Sequence, residues 1–157
     1  MTLRLKDELK QSKPFGSLEQ EAMLSIQRTN AVLGYSAIEA LKPFDVTPTQ
    51  YNVLRILRGV RPAGLCREDI RSRLIAEVPD VTRLLDRMEQ AGLVVRERDT
   101  LDRRLVTTRV TPKGLRLLDD LDGPVEKVHQ EQLGHLNKAE LRSLIALLAK
   151  ARRRNDK

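Results

Sequence analysis

Cysteine occurs once in the 157 residues, as Cys66, and aromatic residues make up 3%. One thiol closes no internal disulfide, which excludes a secreted disulfide-stapled scaffold and points to a reducing compartment. No uninterrupted apolar run approaches the ~18 residues of a membrane span, so no membrane partner is expected. Residues 1–13 are charged at about every second position and lack the apolar core of a signal peptide. Catalytic signatures are missing as well. There is no G-x-S-x-G, no phosphate-cradling glycine loop and no H-E-x-x-H, and His129 and His135 fall together in one peripheral helical segment. The sequence therefore predicts a soluble cytoplasmic protein with no catalytic residues and no cofactor, not an enzyme.

What is present is charge, unevenly placed. The chain holds 29 Lys+Arg against 22 Asp+Glu, a formal charge of +7. Residues 47–116 contain 15 basic and 9 acidic side chains, leaving 14 and 13 for the rest. A basic middle between two nearly neutral flanks suits an anionic polymer, whereas evenly spread charge would serve only solubility. The length allows one domain that buries roughly two thirds of its unfolded surface, alone or interlocked with a partner.

The flanks are helical. Ser17-Leu18-Glu19-Gln20 has the form of a capping box, and Leu24, Gln27, Ala31, Tyr35, Ile38 and Leu41 follow at helical spacing up to Pro43. Asn137-Lys138-Ala139-Glu140 opens a second such helix, with Leu141, Leu144, Ile145, Leu148 and Ala151 on one face and arginines 152–154 at its end. Between Pro112 and Leu133 the period continues through Leu115, Leu118, Leu121, Val125 and Val128, with a bend or break expected at Gly123-Pro124. Three such helices carry more apolar stripe than the middle segment can cover. A second copy of the chain is the direct way to bury the surplus, so a homodimer is expected.

The middle segment opens on Thr47-Pro48-Thr49-Gln50, which combines a threonine cap, proline at the first helical position and glutamine three residues after the cap. Tyr51, Leu54 and Ile56 or Leu57 give the buried stripe, and Gly59 ends it. A loop with Pro62 and Gly64 leads to a second helix, about Arg67 to Ile75, and a third is predicted from Pro79 to Gly92. Short helices joined tightly within a basic segment point to a helix-turn-helix. In the third helix Val81, Leu84, Leu85 and Met88 must face the core, leaving Asp80, Thr82, Arg83, Asp86, Arg87 and Gln90 outside. Such a face fits a DNA major groove, with Thr82, Arg83 and Arg87 reaching bases or phosphates. Alternatively the outer charges pair within the helix, Asp86 with Arg83 or Gln90 with Arg87. Leu93–Arg98 and Leu105–Val110 then flank a polar turn and predict a hairpin with Arg103 and Arg104 at its tip, beside Asp102. An arginine-bearing wing suits a minor groove, and the Asp102 carboxylate would hold one arginine in place.

Three stretches together resemble the MarR-type winged-helix transcriptional regulators: Thr47-Pro48-x-Gln50-Tyr51-x-Val53-Leu54; Val81 to Glu89 with Gly92-Leu93-Val94-x-Arg96; and Asp102-Arg103-Arg104 followed by Thr111-Pro112-Lys113-Gly114. The resemblance implies a mainly α fold with a small β-hairpin wing, and a homodimer binding a palindromic operator, most simply as a repressor. It divides the chain into an N-terminal arm, 1–16, dimerisation helices, 17–46 and 112–157, and a winged helix-turn-helix DNA-binding domain, 47–111. By this likeness Pro79, Asp80, Thr82 and Arg83 read the major groove, Arg87 lies on the same face, and Asp102 with Arg103 or Arg104 forms the wing-tip pair. Pro79-Asp80 departs from the Ser or Thr usual in the family; Asp80 either accepts from a cytosine amino group or caps the helix.

The resemblance further implies release by a small aromatic or phenolic effector in a crevice for which Tyr35 and Tyr51 are candidates. The alternative is thiol oxidation at Cys66, which does not match the position of the family's reactive cysteine and stands where a cap is expected. Glu126 and His129 are too few for a metal site. A winged-helix module for general DNA compaction or protein binding is a further alternative, and a regulator of this kind would be nucleoid-associated when bound to DNA.

Overall fold

The computed structural model describes residues 4–98, 100, 102 and 104–153. A single turn, α1 (Leu5–Glu8), precedes the long α2 (Leu18–Leu41). The Ser17 hydroxyl caps α2 by accepting from the Gln20 N–H, but the Gln20 side chain accepts from the Gly16 N–H instead of closing the box on Ser17. A 3-10 turn at Lys42–Phe44 then leads into α3 (Pro48–Gly59), whose Thr47–Gln50 capping box is complete.

Next come β1 (Leu65–Cys66), α4 (Arg67–Arg73), α5 (Val81–Gln90), β2 (Val94–Arg98), β3 (Val106–Val110), α6 (Pro112–Leu133) and α7 (Lys138–Arg152). The strands form an antiparallel sheet in the order β1-β3-β2, with Arg96 opposite Thr108 and Leu65 also opposite Thr108. The fold is thus mainly helical with a small winged sheet. The two residues of β1 add a third strand to the expected hairpin. They are too short to show alternation in the sequence, and Gly64, at φ +77°, sets them against β3, where a Cβ would lie 2.6 Å from the Thr108 carbonyl oxygen.

The core is the meeting of α3, α4, α5, the sheet and the start of α6: Val53, Leu54, Leu57, Ile70, Leu85, Met88, Val94 and Leu118 are all at most 2% exposed. Each such side chain contributes about 1.5–3 kcal/mol by leaving water. Gly114 lets α6 pass against the sheet, because a Cβ there would stand 2.4 Å from the Leu93 carbonyl oxygen.

Three helices differ from the sequence reading. α5 begins at Val81, not Pro79: Asp80, at φ −133° and ψ 86°, is non-helical and stands as the cap, where its carboxylate accepts from the Arg83 N–H at 2.9 Å. α4 stops at Arg73, because Leu74 is extended and the Ile75 N–H bonds to the Asn52 side-chain oxygen rather than to a helical carbonyl. α6 runs unbroken through Pro124, which lies on an exposed part of the helix where water can serve the carbonyl that proline leaves unbonded.

The flanking helices are less covered. α2 and α6 pack together, and the Gln132 amide donates to the Leu33 carbonyl at 2.9 Å. Yet Leu41 is the one buried residue of α2, while Met23, Val32, Tyr35 and Ile38 are at least half exposed. α7 buries nothing, and Ile145 and Leu147 are each 66% exposed.

Candidate nucleic-acid interface

The outer face of α5 carries Thr82, Arg83, Arg87 and Gln90, all exposed, with Pro79 and Asp80 exposed just ahead of it. Amphipathicity explains the arrangement: Val81, Leu85 and Met88 are buried and Leu84 half-buried, so the intervening positions turn outward.

Three acidic side chains on or next to this face, Asp80, Asp86 and Glu89, are engaged. Asp80 caps the helix. Asp86 and Glu89 converge on Arg96 of β2, whose guanidinium lies 2.6 Å from an Asp86 oxygen. It donates to Glu89 from Nε at 2.9 Å and from Nη2 at 2.6 Å, and the Arg96 main-chain N–H adds a third bond to Glu89 at 3.0 Å. The Arg96 hydrogen bonds hold the Glu89 carboxyl below its ordinary pKa. Asp86 therefore pairs across to the wing, not along the helix with Arg83 as the sequence alone allowed. The result is a helix face with exposed Arg83 and Arg87 whose own carboxylates, Asp86 and Glu89, and whose capping Asp80 are occupied.

At the wing, the Asp102 carboxylate accepts from the Arg104 main-chain N–H at 3.0 Å, and the Asp102 carbonyl accepts from the Leu105 N–H at 2.9 Å. The carboxylate thus shapes the turn that presents Arg104. Arg103 lies outside the described residues. At the base, Arg109 pairs with Glu97 and donates to the Pro62 carbonyl, which ties β3 to β2 and to the loop before β1.

Arg67 and Arg96 are the residues to which the sequence reading gave no role at this surface. Arg67 donates to the Thr82 hydroxyl at 3.1 Å, and Arg96 joins wing to helix. Neither contact has a periodic signature, since each pairs positions on different elements. Cys66 precedes α4 without capping it and gives its thiol hydrogen to Asp69 at 3.2 Å.

A separate cavity of about 190 Å³ lies between the winged domain and α2 and α6, lined among others by Leu41, Tyr51, Arg55, Ile75, Val125 and His129. Burial pushes the Tyr51 hydroxyl above its ordinary pKa, opposed by Arg55, whose guanidinium sits 5.8 Å from the ring centre. Tyr35 is 66% exposed on α2 and does not line it. His129 meets Glu126 at 3.7 Å, and among the described residues no three potential metal ligands cluster. No described helix is long and apolar enough to cross a membrane.

The MarR family model matches residues 46–106, the segment from the end of the 3-10 turn's loop to the wing. A MarR transcription factor from Planctomyces limnophilus is 43% identical over 87% of this chain and 98% of its own, with a TM-score of 0.68. The transcriptional repressor CouR, solved on a 23-mer DNA duplex, is 26% identical over 90% of this chain and 99% of its own, with a TM-score of 0.76. A mutant MarR from E. coli in complex with operator DNA is 25% identical over 95% of this chain and 99% of its own, with a TM-score of 0.75. With the 43% identity over most of its length, together with the winged sheet, the cap and the flanking helices in place, the chain belongs to the MarR family of transcription regulators.

Proposed function

We propose that this protein is a homodimeric, sequence-specific DNA-binding repressor. Each subunit places α5 in the major groove of one half of a palindromic operator and the wing in the adjacent minor groove. The observation that carries this reading is the α5 face itself: Asp80, Asp86 and Glu89 are held by the cap and by Arg96, while Thr82, Arg83 and Arg87 are exposed, Thr82 bordering the crevice beside the wing. Such a surface recognises base edges and phosphates, with a bidentate arginine–guanine contact worth roughly 1–3 kcal/mol of discrimination.

The open apolar faces of α2 and α7 support dimerisation through residues 17–46 and 112–157, and two equivalent readers imply two half-sites. The cavity beside Tyr51 suits a small aromatic effector, with Arg55 as a counter-charge for an acidic or phenolic ligand. No catalysis is assigned to the protein, and it works in the cytoplasm on the nucleoid.

The test is a titration of labelled DNA from the gene's own upstream region and of random DNA, at two salt concentrations. Preference for the upstream DNA is expected, and Arg83→Ala should relax it. Equal binding to both duplexes by the wild type would replace this reading with general DNA compaction.

A further inference from the structure

A crevice of about 370 Å³ separates α5 from the wing, and its lining brings together Arg67, Glu68, Thr82, Arg96 and Arg104 from four different elements. Arg96 is spent on Asp86 and Glu89. Arg67 is not: among the described residues it pairs with no carboxylate, and its guanidinium is oriented by the Thr82 hydroxyl at 3.1 Å. Arg104 enters the same lining from the wing. Thr82 stands on the outer face of α5, so Arg67 extends that face toward the wing although it belongs to another helix.

Adjacent major and minor grooves of B-DNA are separated by a single sugar-phosphate strand. If α5 lies in one groove and the wing in the next, that strand must pass over the ground between them, where the crevice lies. We propose that this crevice seats the DNA backbone, with Arg67 as the principal phosphate contact, Thr82 holding its guanidinium, and Arg104 flanking the strand from the wing. The proposal rests on the two-groove reading above. A planar guanidinium donating two N–H groups suits a phosphate oxygen pair, and a contact of this kind fixes register without reading sequence. Glu68 is the one carboxylate in the lining among the described residues and opposes the strand.

The experiment is a phosphate-by-phosphate substitution. Each phosphate of a half-site in the bound upstream duplex is replaced singly by neutral methylphosphonate, and binding is measured for the wild type, Arg67→Ala and Glu68→Gln. One position, between the bases protected by α5 and those protected by the wing, should weaken the wild type several-fold and leave Arg67→Ala unchanged. Arg67→Ala should also bind all sequences more weakly by the same factor, with its salt slope reduced by about 1. Its deficit should then shrink about three- to fourfold between 50 and 200 mM salt. Glu68→Gln should tighten binding to every sequence, most at low salt, and it decides the matter if Arg67→Ala fails to fold.

Additive losses at every phosphate, or a Glu68→Gln protein that binds like the wild type, would overturn the phosphate seat. The two-groove reading fails separately. Its failure would appear as a wild type without preference for the upstream DNA, or as Arg83→Ala retaining full discrimination.

Discussion

Arg58 and Asp122, 64 positions apart, are joined by two side-chain hydrogen bonds of 2.8 and 2.9 Å. The pair ties α3, inside the winged domain, to α6, which leads out of it, and Asp119 adds a longer contact at 3.9 Å. The Arg58 hydrogen bonds hold the Asp122 carboxyl below its ordinary value of 3.8. A carboxylate so depressed contributes stability above its unfolded pKa and loses that contribution as pH falls through the lower folded value. Both side chains are partly exposed, at 32% and 49%, so solvent screening keeps the pair's worth to about 0.5–1 kcal/mol.

Asp122→Asn should therefore lower the melting temperature at pH 7 by about 1–3 °C. The difference from the wild type should shrink as pH drops below 3.8, the ordinary aspartate value. Thermal melts of both proteins across that range check it; a difference that persisted in acid would mean that Asp122 acts through packing rather than charge.

Two glycines make opposite demands. A Cβ on Gly114 would meet the Leu93 carbonyl oxygen at 2.4 Å and a Val110 methyl at 2.8 Å, whereas Gly59, at the end of α3, has nothing within 4 Å. Gly114→Ala should cost about 1–3 kcal/mol through overpacking. Gly59→Ala should be neutral or slightly stabilising, because alanine loses less backbone freedom on entering a helix. Urea titrations of the two variants measure both.

At the wing, charge and geometry predict opposite signs. Asp102 shapes the turn by accepting from the Arg104 N–H at 3.0 Å. If that turn aims Arg104 into a minor groove, Asp102→Ala should weaken operator binding although it removes a negative charge. A wing acting by charge alone would bind more tightly, most visibly at low salt. Arg104→Lys should also lose affinity, since an ammonium does not replace a planar guanidinium in a narrow groove. Duplex titrations at two salt concentrations separate the cases.

Truncation of residues 138–157 tests assembly. α7 buries none of its residues within the chain, and Ile145 and Leu147 are each 66% exposed. The full chain should sediment as a dimer at micromolar concentration, and the truncated chain should aggregate or unfold because the open apolar face of α2 loses the partner subunit's helices that the proposed dimer supplies. A well-folded truncated monomer would show that α2 and α6 suffice alone.

Local chemistry alone determined much of this molecule. Thr47 and Asn137 close their capping boxes as their neighbours three residues on require, and Val81, Leu85 and Met88 turn inward because a helix repeats every 3.6 residues. The same period exposes Thr82, Arg83 and Arg87, so the outer face of α5 is legible in the order of its residues.

Tertiary structure decided what each charge does. Asp86 has a sequence neighbour in Arg83, yet it pairs with Arg96, because the fold lays β2 against α5 and delivers a guanidinium that also meets Glu89. Arg67 acquires its place beside Thr82 in the same way, across 15 positions. Tyr35 and Tyr51 carry the same ring, but only Tyr51 lines the cavity, since α2 turns Tyr35 outward. Periodicity specifies which side of a helix faces the core, and it carries no information about which element will stand opposite. A salt bridge or a cavity wall between distant segments exists only once packing has brought them together.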